Sequence, residues 1–360
     1  MALQYATKIA SLPNHISFNT IFRPLHEHLY LVKTNYFPSF GIRIQPLLSE
    51  AGISLDSIAD TPFFNTPPWA MSPPKIDFDL SQHKKRDTSS TVFDSLFREL
   101  RSKYGDYAPI YTDGSKDGDR VGSATVTPSE TISVCLPPAA SIFTAELQAI
   151  LQALEFIQSS SSLKHIIFTD SLSSLQAINN KQLEHPLVAD VYRLLLSYEF
   201  NSKDVVFYWL PSHVDIRGND QADFAAKAAL DLPQSPFLIP YKDFNSCINH
   251  FIYDRWQRSW DLAGTNKLHH IKPLLGDWSN SYRTNRRDEV VLCRSRIGHT
   301  FLTHIFILKR EPQPECVHCH VPLTVKHILI ECKHLKYIRS KYYRCKYVSY
   351  LLNRSYMTKC

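Results

Sequence analysis

The sequence predicts an α/β fold, and three observations support that class. Residues 108–230 contain five short segments rich in β-branched and aromatic residues. Segments in which apolar residues recur at helical spacing lie between the last three of these strand-like segments and after the last one. Strands and helices therefore alternate in the second half of this region. We expect a mixed five-stranded sheet covered by helices, with functional side chains at the strand ends.

The predicted elements follow one another closely along the chain. The strands are read, in order, from the segments APIYTDG, VGSATV, TISVCLP, HIIFTD and VVFYWLP. Helices are predicted over residues 142–158, 171–199 and 218–230, because apolar residues recur there every three or four positions. The segment VFDSLFREL has the same spacing after a polar stretch, which predicts a further helix leading into this region.

The chain also divides into parts of different composition. Prolines crowd the segment from Pro62 to Pro74, and proline removes a hydrogen-bond donor and excludes helix, so we expect a linker at about 60–80. Beyond Pro233, tryptophans predict a packed helical region. We divide the chain into a head (1–60), a Pro-rich linker with a lead-in helix (61–105), the α/β domain (106–232), a helical basic region (233–310) and a cysteine-rich tail (311–360).

The overall composition is that of a globular protein. Hydrophobic residues make up 44% and aromatic residues 12% of the 360 residues, which is enough to bury a core in two or three domains. No stretch approaches the roughly 18 apolar residues of a membrane span, and the first residues do not have the pattern of a secretion signal. The eight cysteines are not spaced like a disulfide framework. We expect an intracellular protein, cytoplasmic or nuclear, that is not secreted.

Charge is distributed unevenly along the chain, whose net charge is +6. Residues 108–230 contain 8 basic and 14 acidic side chains, whereas residues 261–360 contain 18 basic and 7 acidic ones. A concentration of positive charge favours a polyanionic partner. We therefore expect the tail to bind nucleic acid, with a solvated basic face as the alternative.

Four carboxylates in the α/β domain form a candidate metal site: Asp113, Glu146, Asp170 and Asp223. Asp113 and Asp170 are predicted to close strands, although Asp113 before Gly114 is also an ordinary turn pair. Four carboxylates balance the charge of two divalent cations. Two such ions, about 4 Å apart, suit phosphodiester hydrolysis, because one activates the attacking water and the other stabilises the leaving oxygen.

Glu146 and His213 carry further expectations. Glu146 lies on the apolar face of its predicted helix, where a buried unpaired carboxylate is costly, so we expect it at the rim of that face, neutralised by a cation. A glutamate that reaches solvent is the alternative. His213 lies on a loop before the helix of Asp223 and is a candidate for proton transfer or product release. A solvated loop histidine is the alternative.

The order YTDGS, TAEL, TDS, PSH and GNDQAD resembles the type 1 ribonuclease H domain, and more narrowly the ribonuclease H of jockey-like non-LTR retrotransposons. The resemblance implies that Asp113, Glu146, Asp170 and Asp223 bind two Mg²⁺ ions, with Mn²⁺ as a substitute, and that His213 is the auxiliary histidine. It also implies hydrolysis of the RNA strand of an RNA/DNA hybrid, which leaves a 3′-hydroxyl and a 5′-phosphate.

One departure from the family concerns how the hybrid is held. Cellular members often carry a basic protrusion between the third acid and the histidine. Only Lys181, Arg193 and Lys203 lie in that interval here. We therefore expect the hybrid to be bound by basic residues elsewhere in the chain.

The tail contains a second candidate metal site, formed by Cys316, Cys319, His327 and Cys332. Three thiolates and one imidazole at this spacing predict a tetrahedral Zn²⁺ site, structural rather than catalytic because all four positions are filled by protein ligands. His318, His320 and His334 are possible substitute ligands. Thiols without metal are the alternative.

Both ends of the chain extend the resemblance. The segments LQYATKIASLPNH and PPWAMSPPKIDFDL look like the part of jockey-like polyproteins that follows the reverse transcriptase, and the cysteine-histidine group looks like their C-terminal end. No Asp-Asp dipeptide occurs in the sequence, so we expect no DNA synthesis. Two rival functions are a catalytically silent nucleic-acid-binding remnant and a transposase or integrase with a related acidic triad. The oligomeric state does not follow from the sequence.

Overall fold

The computed structural model describes residues 1–23, 37–64, 66–83, 85–264, 266–276 and 285–352. The chain divides into two compact units, Met1–Ile248 and Asn249–Cys360. Within the described ranges, the structure contains no helix with the length and apolar character needed to cross a membrane.

The first unit is built on a mixed six-stranded sheet. Its strands are β1 (Lys75–Asp77), β2 (Ala108–Asp117), β3 (Arg120–Val126), β4 (Thr131–Leu136), β5 (Lys164–Thr169) and β6 (Asp204–Trp209). Their order is β1-β6-β5-β2-β3-β4. Strands β1, β6, β5 and β2 pair in parallel, whereas β2, β3 and β4 form an antiparallel meander. The α/β class and all five expected strands are confirmed, and β1 is an addition.

Strand β1 comes from the segment that the prolines predicted to be a linker. Lys75–Asp77 pairs in parallel with Val206–Tyr208 of β6. Because β1 is an edge strand with one partner, the prolines that precede it interrupt no ladder. Three residues are too few to form an alternating pattern, so no strand could be predicted here. As a result, the C-terminal ends of β1 and β6 lie on the same side of the sheet.

Helices cover both faces of this sheet. The helices of the first unit are α1 (Ala2–Ala10), α2 (Ile16–Phe22), α3 (Phe40–Glu50), α4 (Ser90–Lys103), α5 (Ile142–Ser159), α6 (Leu172–Asn179), α7 (Pro186–Phe200) and α8 (Arg217–Ala228), and α9 (Phe244–Leu262) begins in it. The stretch predicted as helical over 171–199 is divided between α6 and α7. Pro186 begins α7, where its missing N–H group is harmless.

Side chains alternate between the two faces along β5 and β6. Ile167 and Phe207 lie in a core with α5, α6 and α7. Phe168 and Tyr208 point to the opposite face and pack in a core with Phe93 of α4. Because both faces are buried, a slip of one residue in either strand would place every side chain in the wrong layer. The ends of β5 and β6 are therefore held at fixed positions.

Helix α8 lies directly on strand β3. A Cβ atom added to Gly122 would come within 2.3 Å of the Ala226 carbonyl oxygen and 3.1 Å of the Ala229 Cβ atom. Only glycine permits this approach, and the alanines of α8 complete it. The small residues on this helix thus place Asp223 near the centre of the sheet.

The second unit is mainly helical, as predicted. Its helices are α10 (Lys267–Ile271), α11 (Arg286–Ile297), α12 (Phe301–Lys309), α13 (Lys336–Ser340) and α14 (Val348–Leu352), with a π-helical turn at His327–Glu331. Helix α11 ends at Gly298, whose φ of 77° is the left-handed conformation that favours glycine at a helix end. Trp260 donates a hydrogen bond from Nε1 to the Lys272 carbonyl oxygen at 2.9 Å. Trp278 lies outside the described residues.

Gly122→Ala should destabilise the protein by about 1–3 kcal/mol, because the new methyl group would overlap the backbone of α8. Gly105→Ala is the matched control, since a Cβ atom there would make an ordinary 3.6 Å contact with the Ser102 carbonyl oxygen. Urea denaturation of both variants tests this expectation. Equal midpoints for the two variants would contradict the proposed close contact.

Candidate active site

Three of the four predicted acids lie together at the sheet. Asp113, Glu146 and Asp170 each offer a carboxylate oxygen, and these three atoms lie within 4.8 Å of one another. Asp113 and Glu146 are buried, and Asp170 is partly exposed. They come from β2, from the first half of α5 and from the residue after β5. Segments distant in sequence therefore converge on one acidic cluster.

Asp113 lies inside its strand, so the expectation that it closes the strand was wrong. Strand β2 continues to Asp117 because its antiparallel pairing with β3 extends that far. The parallel pairing of β2 with β5, however, ends at Thr112 opposite Thr169. Asp113 and Asp170 are thus the first residues beyond the last positions at which β2 and β5 pair, and they lie side by side there.

Gly114 joins the strand to the helix at this point. Its backbone favours the ionised carboxylates of Asp113 and Glu146 and so opposes the rise of their pKa. A Cβ atom at this position would lie 2.8 Å from the backbone nitrogen of Glu146. Because only glycine allows this distance, the residue after Asp113 is what permits the two carboxylates to meet.

Glu146 is more deeply buried than expected at the rim of its helix. Its side chain is among the buried polar groups, with 8% relative exposure, and its Oε2 atom has no hydrogen-bond partner in the described part of the protein. Burial, and then the negative charges of Asp113 and Asp170, raise its pKa well above the ordinary value. A buried acceptor of this kind requires a proton or a cation.

The pKa values of the other two acids of the cluster are also raised. Burial, followed by repulsion from Asp170 and Asp223, raises the pKa of Asp113 to about 8. Burial also raises the pKa of Asp170, although His213 opposes that shift. Like charges this close cannot all ionise without a counter-charge. Carboxylate oxygens are hard ligands that suit Mg²⁺ or Mn²⁺, so the residues present fit a divalent cation.

Asp223 lies beside the cluster rather than within it. Its Oδ2 atom accepts a hydrogen bond from the Lys227 ammonium group at 2.6 Å, one turn further along α8. Its carboxylate is nevertheless close enough to raise the pKa values of Asp113 and Asp170. The structure therefore places the fourth predicted acid in electrostatic contact with Asp113 and Asp170, and pairs it with a lysine.

His213 lies on a sharply turned loop between β6 and α8. Its side chain is exposed, and both His213 and Asp215 adopt positive φ values, 52° and 61°. Such backbone conformations are unfavourable for residues other than glycine and tend to occur at functional sites. His213 lies near enough to Asp170 to oppose the rise of its pKa. The predicted auxiliary histidine is thus beside the acidic cluster.

Asn219 is a site residue to which the sequence analysis assigned no role. It is buried, and its side chain is close enough to Asp170 to oppose the rise of the pKa of that carboxyl. Its Oδ1 atom has no partner among the described residues. The one feature of the sequence that could have indicated its role was its position four residues before Asp223 on the same helix. That spacing places both side chains on the face of α8 that meets the cluster.

The four predicted zinc ligands also lie together in the second unit. Their ligand atoms lie within 4.8 Å of one another in the group Cys316, Cys319, His327 and Cys332. The Cys332 sulfur lies 3.9 Å from the Cys316 sulfur and 3.8 Å from the Cys319 sulfur. A tetrahedral site with Zn–S bonds of about 2.3 Å requires roughly 3.8 Å between sulfurs. The donor set and its spacing therefore fit zinc.

Two further observations support a metal at this cluster. The His327 Nε2 atom is buried and has no hydrogen-bond partner in the part of the chain that the structure describes. A hydrogen bond from the His318 backbone lowers the pKa of Cys316 to about 6, which favours the thiolate. Of the substitute ligands, the His318 and His334 rings stack on each other with centroids 3.6 Å apart.

The acidic cluster should make stability depend on pH when divalent cations are removed. Because the pKa of Asp113 is about 8 in the folded chain and about 3.9 when unfolded, the folded state keeps a proton that the unfolded state loses. Stability should therefore fall as the pH rises from about 4 to about 8. Asp113→Asn should flatten this dependence, as measured by thermal unfolding in EDTA. The exposed-site control Asp190→Asn should retain it, and identical pH profiles for the two variants would contradict the electrostatic account.

Comparison with known proteins agrees with this geometry. Residues 106–231 match the family model of RNase H. No curated protein matches the sequence. The matched range includes strands β2–β6, helices α5–α8, the four acids and His213. The chain therefore contains an RNase H domain at residues 106–231.

Proposed function

We propose that this protein is a Mg²⁺-dependent endonuclease that hydrolyses the RNA strand of RNA/DNA hybrids. The RNase H domain supports hybrid cleavage in general terms. The observation that carries the proposal for this chain is the convergence of Asp113, Glu146 and Asp170, with one oxygen of Glu146 buried and without a hydrogen-bond partner among the residues that the structure describes. A decayed nuclease would have no reason to keep such a costly arrangement.

In this proposal the four acids, Asp113, Glu146, Asp170 and Asp223, hold two Mg²⁺ ions, with Mn²⁺ as a substitute. Such ions supply an activated water and stabilise the charge that develops on the leaving oxygen. The Gly114 backbone favours the ionised forms of Asp113 and Glu146, and Asn219 favours that of Asp170. Lys227 partly balances the charge of Asp223. The protein thus presents a pre-arranged anionic site to the cations.

His213 is proposed to move protons between the site and solvent. It is exposed on its loop and lies beside Asp170. An imidazole can accept a proton from the reaction and release it to water. This position suits proton transfer or the departure of the product.

We also propose that the chain derives from a jockey-like non-LTR retrotransposon polyprotein. The order of the acidic motifs and the position of the Cys/His cluster after a helical basic region support this origin. The head would then be a remnant of the segment after the reverse transcriptase. The basic tail would bind nucleic acid, with the zinc cluster holding its fold.

Asp170→Asn should reduce cleavage of a labelled RNA/DNA hybrid by about 100-fold or more, because the substitution removes one charge from the cation site. Asp190→Asn is the control, since Asp190 is ion-paired with Arg193 on the surface of α7. The assay uses the full chain with Mg²⁺. Equal cleavage by both variants would reject the site. Hybrid binding without cleavage by the unsubstituted chain would instead support the silent remnant, and strand transfer would support the transposase alternative.

The tail should contain about one zinc ion per chain, bound by its cysteine and histidine ligands. Cys319→Ser should lose that zinc, because it removes one of the four donors. Cys293→Ser, which changes an exposed free cysteine of α11, should retain it. Elemental analysis after dialysis, together with the absorption of the Co²⁺-substituted protein, measures the difference. Equal metal content in the two variants would show that the cluster is not the zinc site.

A further inference from the structure

Most basic side chains of the RNase H domain form hydrogen bonds or ion pairs with other residues of the protein. Lys181 donates to the carbonyl oxygens of Pro68 and Met71 at 2.6 and 2.7 Å. Lys203 donates to carbonyl oxygens at the C-terminal end of α5. Arg193 forms an ion pair within its own helix. These are the three cations in the interval where a basic protrusion would lie, and each serves the fold.

The remaining cations of the domain follow the same pattern. Lys116 donates to a carbonyl oxygen, and the other three engaged cations contact carboxylates: Arg120, Lys164 and Lys227. Of the eight basic side chains in residues 108–230, Arg217 alone has no polar partner in the described part of the chain. With 14 acidic residues in the same range, the domain repels a polyanion. Phosphate contacts from outside the domain would offset that repulsion.

A basic segment upstream of the domain lies at the required position. The sequence HKKR occupies residues 83–86, and the side chains of His83, Lys85 and Arg86 are exposed. It follows β1, which runs parallel to β6 and therefore ends at the same edge of the sheet as β5 and β6. Neighbouring strands lie about 4.8 Å apart, so the end of β1 is about 10 Å from the end of β5, where Asp170 lies.

Two contacts fix this segment against the active-site loop. The Lys85 ammonium group donates a hydrogen bond to the carbonyl oxygen of Ser212, the residue before His213, at 2.6 Å. Leu80 is buried in the same core as Leu210 and Val214, which flank that loop. The basic segment is therefore held beside the loop that carries His213.

We propose that Lys85 and Arg86 of the basic segment bind the phosphate backbone of the RNA/DNA hybrid next to the catalytic acids. This inference rests on the proposed function and adds the surface that holds its substrate. Lys85 contacts the residue before His213, so a hybrid bound at the acids and at His213 also reaches these side chains. The contact is with phosphates, so it confers affinity without sequence preference.

The double variant Lys85→Gln/Arg86→Gln tests the inference in the full chain. Asp170→Asn is added so that a fluorescently labelled hybrid stays intact during anisotropy titrations at several KCl concentrations. Each lost phosphate contact should lower the salt dependence of log Kd by about 0.9, so the slope should fall by about 2 and Kd should rise about tenfold or more. The matched control is Lys75→Gln/Lys164→Gln, which removes two cations from the opposite edge of the sheet.

An unchanged Kd and salt slope in the Lys85/Arg86 variant, or an equal change in the control, would overturn the inference. Because Lys85 also contacts the loop, Arg86→Gln is measured alone, and it should lower the slope by about 1. In the chain that retains Asp170, KM should rise more than kcat falls. A fall in kcat with no change in Kd would show that the segment only braces the loop.

The two proposals fail in different ways. If the unsubstituted chain cleaves the hybrid and the basic segment makes no difference to binding, the inference fails and the proposed function stands. If the chain does not cleave the hybrid but binds it through this segment, the nuclease assignment fails and the phosphate-binding surface is supported.

Discussion

The burial of mutually repelling carboxylates is the constraint on which the rest of the structure depends. Asp113 and Glu146 are withdrawn from water and lie beside Asp170, and burial and repulsion together raise the pKa of each. Such a cluster opposes folding unless a cation or protons neutralise it. The surrounding elements must hold the three groups against that force. The site therefore stabilises the fold only when a bound cation or protons neutralise its negative charge.

The neighbouring elements supply that support from several directions. Both faces of the sheet are packed, which fixes the ends of β2 and β5. The first turn of α5 is held by Asp243, whose Oδ2 atom accepts hydrogen bonds from the Ser141 backbone at 2.9 Å and the Thr144 hydroxyl at 2.6 Å. Glu146 lies just beyond that turn. Upstream, β1 extends the sheet, and the basic segment follows it on the side of the sheet where β5 and β6 end.

The sequence predicted features that local pattern determines and missed those that depend on distant contacts. Short runs of β-branched and aromatic residues identified β5 and β6, and the Cys/His spacing identified the cluster that the structure brings together. Strand β1 was missed because three residues carry no period, and Asp113 was placed at a strand end because the extent of its pairing depends on β3. The role of Asn219 required the position of α8 against the sheet, which no single segment encodes.

Binding of Mn²⁺, followed by electron paramagnetic resonance in the presence of the hybrid, tests the central claim most directly. Glu146→Gln preserves the shape of the side chain and removes its charge. The account predicts that the unsubstituted chain binds about two ions that Mg²⁺ displaces, and that the variant binds them at least about tenfold more weakly. Identical binding curves for the two proteins would contradict it, because the buried carboxylate would then have no part in holding the cations.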